Sequence, residues 1–442
     1  MNDTLAFIVG VVVFVLGLAV SIALHEVGHL VPAKLFGVKV TQYMIGFGRT
    51  IFSVKRGETE YGLKLIPLGG YIAMIGMFPP AKPGGAMRTA STGFFSTLVQ
   101  DARDNSAETV GTGEEDRSFY RLPVWKRVII MAGGPFMNLI IAVILFAVVL
   151  MGFGVLQSTT TVASVSQCVL PATSTQTSCA ADDPIAPGAA AGILPGDRIV
   201  SIDGTAVSSW EQATAIIRDS PGTDLSFVVE RNGAETTLTA TPLLTERYVT
   251  DANGAVVEGS DGKGITQEVG FLGIGASSEL TPQPATAVLP FVGQNISGVV
   301  GVILNLPQRL VDVANAAFGP GERDPNGPIS VVGVGRLAGE IASLDDVPVV
   351  SKLASLIGVV ASLNVALLVF NLVPLMPLDG GHIAGALWEG LRRGIAKLFR
   401  RKDPGPVDTA RLMPITFTVV ILLGAMSALL IYADIVKPVS IL

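Results

Sequence analysis

His25-Glu26-Val27-Gly28-His29 places two imidazoles and a carboxylate within a single pentapeptide. Residues four apart on a helix share a face, so both rings can reach one ion while the glutamate handles a proton from a nearby water. The cluster holds two of the chain's three histidines and follows an apolar run from Leu5 to Leu24 in which Ser21 is the only polar side chain. Ionisable groups at membrane depth are costly and usually functional. The bland alternative is a helix end at which these residues simply meet interfacial water. A metal or proton transport site would draw on the same residue types.

A catalytic zinc site wants three protein ligands and an open position. The third candidate is Asp379, in Asn371-Leu372-Val373-Pro374-Leu375-Met376-Pro377-Leu378-Asp379-Gly380-Gly381-His382. Pro374 and Pro377 break an apolar helix there and free backbone to line a cavity. Gly380 and Gly381 let another backbone approach closely. His382 is a competing ligand, three residues past the carboxylate and nearer the interface. A simple helix-end charge is the alternative for Asp379.

The elements that must carry these groups are hydrophobic. Of 442 residues, 49% are apolar and only 15% charged, against about 25% charged in soluble domains. Four stretches are long enough to span about 30 Å of hydrocarbon: Leu5–Leu24, Val128–Leu156, Leu353–Val373 and Ile415–Tyr432. Nothing before Leu5 is basic, so the first reads as a retained helix rather than a signal peptide. Lys and Arg number 13 between Leu30 and Arg127 and 7 between His382 and Arg411. The positive-inside rule then puts both segments in the cytoplasm and both termini outside. The long connection from Gly152 to Lys352 carries 21 acidic and 9 basic residues, an acidic extracytoplasmic domain. Basic patches suited to nucleic acid are absent from the sequence. Cys168 and Cys179 both fall in that outer segment, either as a disulfide or as two free thiols.

The expected order along the chain follows. Residues 1–37 form the first transmembrane helix with the histidine motif. Residues 38–126 form a cytoplasmic-side β-hairpin region and a polar loop, the loop running from Pro79 to Asp116. Its strands are punctuated by Gly46-Phe47-Gly48 and Gly69-Gly70-Tyr71, and could offer an edge to an extended peptide or simply shield the site. Residues 127–157 are the second transmembrane helix. Residues 158–278 form a mixed domain whose Gly-Ile-Leu-Pro-Gly-Asp and Ile-Asp-Gly pieces resemble a PDZ domain, with an acidic, Gly-rich insert from Asp251 to Gly264. Residues 279–350 are expected as an amphipathic, membrane-associated region. Residues 351–382 form the third transmembrane helix, 383–412 a cytoplasmic basic loop, and 413–442 the fourth helix and tail.

Taken jointly, His-Glu-x-x-His on an apolar helix, Gly133-Gly134-Pro135-Phe136-Met137-Asn138, the Asn371 to Gly381 motif and an intervening PDZ-like domain resemble the site-2 protease family. The similarity is strongest to the bacterial subgroup that regulates sigma-E. It implies a polytopic α-helical protein of the bacterial plasma membrane, with an active site towards the cytoplasm, Zn2+ held by His25, His29 and Asp379, and Glu26 as general base. It also implies hydrolysis of peptide bonds in or beside transmembrane helices of single-pass substrates already trimmed by another protease. Anti-sigma factors and signal-peptide remnants are the typical cases. Asn371 and Pro374 would contact substrate, as would Gly46, Phe47, Gly48, Gly69 and Gly70; helix packing is the alternative for Asn371. The PDZ-like domain would filter substrates by size or bind a peptide end. The chain departs from the best-known members in carrying one such domain and a long polar insert before Arg121. A transporter usually needs an internal repeat, which the sequence lacks. A catalytically silent scaffold built on the PDZ-like domain would have no use for Glu26.

Overall fold

Inside lipid every main-chain polar group needs an internal partner, so long apolar runs fold as helices. The computed structural model describes residues 3–79, 106, 108–111, 113–174, 176, 178–249, 256–257, 264–321, 323–324, 327–345 and 347–439. Among them five helices are long and apolar enough to cross a membrane: Asp3–Leu35, Val124–Phe153, Ala285–Leu304, Val349–Asn371 and Thr409–Val436. Four cover the expected stretches. The fifth lies where an amphipathic element was expected, so length and composition return a higher count than four. Between Ala285 and Leu304 there is no charged side chain, and Pro290 falls in the first turn, where a missing N–H leaves no hydrogen bond unmade.

In chain order the helices are α1 (Asp3–Leu35), α2 (Val124–Ala147), α3 (Pro187–Ala190), α4 (Trp210–Arg218), α5 (Val288–Leu304), α6 (Leu306–Phe318), α7 (Val331–Ser343), α8 (Val349–Asn371), α9 (Asp379–Leu398) and α10 (Met413–Val436). The strands are β1 (Val40–Arg56), β2 (Thr59–Met74), β3 (Val155–Val165), β4 (Arg198–Ile202), β5 (Thr205–Ala206), β6 (Leu225–Arg231), β7 (Ala234–Ala240), β8 (Leu243–Tyr248), β9 (Thr266–Phe271) and β10 (Ile274–Thr281). They fall into two compact units, Met1–Phe153 with Gln283–Leu442, and Gly154–Pro282.

In the first unit α1 is the central helix, packed by α2, α7 and α8. Small residues set these crossings, since lipid tails offer helices no net hydrophobic drive to associate. A Cβ on Gly28 would lie 2.2 Å from the Gly133 carbonyl oxygen, and one on Gly10 would lie 2.3 Å from that of Ala338. The Asn364 carboxamide donates to Ser21 Oγ at 2.9 Å, fixing the register of α8 on α1. Helix α1 ends at Gly37, whose φ of +84° only glycine adopts freely. The hairpin β1–β2 folds over on itself. Residues 40–45 pair with 70–74 on one side and with 60–63 on the other, and 50–56 pair with 59–64. The edge piece 70–74 lies against α1, and Tyr43 Oη donates to the Ala23 carbonyl at 2.8 Å. Burial first, then the negative charge of Glu26, pushes the Tyr43 phenol up to about 12.

Two expected boundaries differ. The third apolar helix stops at Asn371, and a turn through Pro374 and Pro377 leads into α9. The stretch expected as a basic loop from residue 383 is therefore helical through Leu398. It has good helix formers and a helical spacing of apolar residues that its many arginines and lysines obscured. The polar run from Pro79 to Asp116 lies largely outside the described residues, as does most of the insert from Asp251 to Gly264.

In the second unit five strands pair in the order β10-β3-β4-β6-β7, β5 pairs with β4, and β8 pairs with β9. Ile193, Ile199, Ile202, Phe227, Val229 and Leu272 form its core, over which α4 lays Ala213 and Ile217. Ser209 caps α4 by accepting from the Gln212 N–H at 3.3 Å. Asp197, 1% exposed, accepts from Arg231 Nε and Nη2 at 2.7 Å each. Cys168 and Cys179 are joined as a disulfide.

Candidate metal centre

Helical spacing stacks His25 and His29 on one face of α1, with their Nε2 atoms 3.2 Å apart. Asp379 opens α9, where the first turn folds back on the preceding one. A Cβ on Gly380 would lie 2.4 Å from the Leu372 and Val373 oxygens, and one on Gly381 2.6 Å from the Met376 nitrogen. These two glycines therefore serve a local close approach. Asp379 Oδ2 reaches 3.4 Å from His25 Nε2 and 3.3 Å from His29 Nε2. Three residues separated by as much as 354 positions converge as one group of possible metal ligands, and His382 is not part of it.

The donor set fits zinc on geometry and on proton placement. Tetrahedral zinc with arms of about 2.0–2.1 Å separates its ligand atoms by about 3.3 Å. The observed triangle has edges of 3.2, 3.3 and 3.4 Å. His29 Nδ1–H donates to the Ile130 carbonyl at 2.7 Å, so its Nε2 carries a lone pair. Asn138 meets His25 Nδ1 at 3.0 Å, and its carboxamide oxygen is buried with no partner among the described residues. Turned to accept from His25 Nδ1–H, that oxygen leaves the His25 Nε2 lone pair free as well. Asp379 Oδ2 is likewise buried without a hydrogen bond among the described residues. With the carboxamide so turned and both rings neutral, three lone pairs face one another, a repulsion that a cation would relieve. Gly134 completes the cradle: a Cβ there would lie 2.2 Å from His29 Nε2 and 2.6 Å from His25 Nε2.

Glu26 is 8% exposed beside this triangle. Gly70 lies flat against it, where a Cβ would come within 3.0 Å of Glu26 Cγ. Gly69, at φ +108°, lies under the Phe47 ring, and a Cβ on Gly46 would sit 2.5 Å from the Ile66 oxygen. Gly48 adopts φ +85° in the bend of β1. Of the residues expected to meet substrate, Gly70 is thus brought to Glu26 and Phe47 to Gly69. Asn371 is half-buried at the end of α8 with no side-chain hydrogen bond among the described residues, and Pro374 is exposed in the following turn. The partners of the imidazoles, Asn138 and the Ile130 carbonyl, had no assigned role in the sequence reading. The Gly133 to Asn138 motif was the signal that could have found them.

The profile of peptidase family M50 matches residues 13–402. The chain is 32% identical to zinc metalloprotease Rip1 of Mycobacterium tuberculosis over 98% of this chain and 99% of the relative. The figures for Rip1 of Mycolicibacterium smegmatis are the same. Metalloprotease MmpA of Caulobacter vibrioides is 28% identical over 88% of each chain. The match spans both the helix that carries the histidines and the turn that carries Asp379. An integral membrane chain with this donor set and these relatives belongs to peptidase family M50, the site-2 protease family of zinc metalloendopeptidases.

Proposed function

We propose that this zinc metalloprotease hydrolyses peptide bonds in or beside the transmembrane helices of single-pass membrane proteins, with His25, His29 and Asp379 as the zinc ligands and Glu26 as general base. The carrying observation is the triangle of possible ligand atoms, 3.2, 3.3 and 3.4 Å on its edges, beside a buried glutamate. When bound, zinc acidifies a coordinated water and polarises the scissile carbonyl. Glu26, beside the triangle and against Gly70, takes a proton on a carboxylate oxygen and returns it to the leaving amine. Asn138 and the Ile130 carbonyl hold the two rings in the tautomer that keeps Nε2 unprotonated.

A helix must unwind before its carbonyls are free to react. The edge at residues 70–74, next to Glu26, suits an unwound substrate added as an extended strand. Gly46, Phe47, Gly48 and Gly69 shape that sheet, and Asn371 and Pro374 flank the turn that supplies Asp379. A cavity of about 940 Å³ among α5, α8 and α10, lined by Val299, Ala366, Phe370 and Leu430, has the apolar character a membrane segment needs. We read the second unit as a single extracytoplasmic PDZ domain that governs substrate admission, and the basic loops as cytoplasmic. Anti-sigma factors already trimmed by another protease, and signal-peptide remnants, are the substrate classes we favour.

The test uses the purified full chain with a membrane-anchored anti-sigma factor. Chelation is expected to stop cleavage and zinc to restore it. Glu26→Gln is expected to keep its zinc and lose cleavage. Cleavage by Glu26→Gln at the normal rate would sink the assignment of the base.

A further inference from the structure

Away from the ligand triangle lies a second buried charge cluster. Arg127, 7% exposed, and Glu389, 1% exposed, join α2 to α9. Arg127 Nη2 donates to Glu389 Oε1 at 2.5 Å, and Arg393 Nη2 approaches the same oxygen at 3.1 Å. The Val407 main-chain N–H donates to Oε2 at 3.0 Å. Taking two charges out of water commonly costs as much as their attraction returns. Fold stability alone is therefore a poor reason for the pair.

Its position suggests a different role. Helix α9 carries Asp379 at its start, and Glu389 lies ten residues on, about 15 Å along the axis. Helix α2 carries the partners of both imidazoles, and Arg127 precedes Ile130 by about one turn. The pair thus ties the helix bearing the carboxylate to the helix that orients the histidines.

Of the large apolar residues of α9, Ile383 packs on the cluster that holds Ile130 and Met131 of α2, one turn past Asp379. Leu387, Trp388, Leu391 and Ile395 are 56%, 55%, 53% and 47% exposed, while the charged Glu389 faces in. Apolar contact is non-directional and tolerates sliding. A charge-assisted hydrogen bond to a buried carboxylate does not, because its geometry is specific.

We infer that Arg127 and Glu389 are a positioning pair that sets the distance of Asp379 from the two imidazoles and thereby the affinity of the zinc site. The inference rests on the reading of His25, His29 and Asp379 as the ligands. Its readout is zinc retention by the purified full chain, titrated with a competing chelator, alongside thermal unfolding and kcat and KM on a membrane-anchored substrate. Arg127→Met and Glu389→Gln are expected to lose zinc about tenfold more readily than the parent, the lower end for residues supporting metal ligands. Their kcat is expected to fall while KM stays near the parent value. Arg127→Lys, which keeps the charge and loses the planar fork, is expected to recover part of both.

Parental zinc retention in Glu389→Gln and Arg127→Lys, with only the unfolding temperature lowered, overturns the inference and leaves the pair a structural tie. Should Arg127→Met not fold, those two variants decide the matter. His25→Ala, run in parallel, separates the two ideas: undiminished zinc binding there removes the ligand assignment itself.

Discussion

Gly134→Ala tests the ligand geometry with a single methyl group. The added carbon would lie 2.2 Å from His29 Nε2, 2.6 Å from His25 Nε2 and 2.7 Å from His25 Cε1. Zinc–imidazole bonds are about 2.0–2.1 Å, so the methyl competes for the space a zinc ion would take. Carbon makes unstrained contacts near about 3.5 Å, and both rings would have to retreat by roughly 1 Å. Moving α2 away from α1 would relieve this only by opening the Gly28–Gly133 crossing, where the two backbones meet directly. A misplacement of about 1 Å costs on the order of 100-fold in rate, and it also pulls both nitrogens out of the observed triangle. The substitution favours the helix itself by about 1 kcal/mol, so helix propensity cannot account for a loss. The assay is zinc content of the purified chain by atomic absorption, cleavage of a membrane-anchored substrate, and thermal unfolding. Substoichiometric zinc and at least a hundredfold slower cleavage are expected in a chain that still unfolds cooperatively. Full zinc with turnover near the parent would refute the geometry.

Asn138→Leu removes the acceptor for His25 Nδ1–H and is expected to lower zinc retention and turnover about 10–100-fold; parental values in both would remove Asn138 from the site. Gly70→Val forces a Cβ that would lie 3.0 Å from Glu26 Cγ. It should reduce kcat while zinc content stays stoichiometric, and loss of zinc instead would show that the hairpin supports the ligands. In the second unit, hydrogen bonds from the Arg231 guanidinium hold the Asp197 carboxyl below the usual carboxylate range. A depressed folded-state value contributes stability above the unfolded pKa of about 3.9 and loses it as pH falls through the folded value. Asp197→Asn is expected to cost about 1.5–3 kcal/mol at pH 7 and to flatten the acid limb of an unfolding curve. An acid limb unchanged from the parent would count against the pair.

Local chemistry was enough to put the two imidazoles and Glu26 together on one helix. Their spacing lies within about one helical turn, and the helix follows from an unbroken apolar run. The Pro-rich turn and paired glycines before His382 marked Asp379 in the same way, although the glycines serve the turn itself as well as any approaching chain. Periodicity misled where charge and apolar residues mix. Helix α9 was expected as a loop because its basic residues hid its apolar spacing.

Only the tertiary structure decided how far apart these groups lie and which partners they meet. The Gly28–Gly133 crossing brings Asn138 and the Ile130 carbonyl to the imidazoles, and the edge of β2 brings Gly70 to Glu26. Arg127 finds Glu389 across 262 positions of chain. Sequence patterns report what one element prefers within a turn or two, because those interactions are fixed by backbone geometry. Contacts between remote elements depend on packing and register, and a string of residues carries that information only jointly.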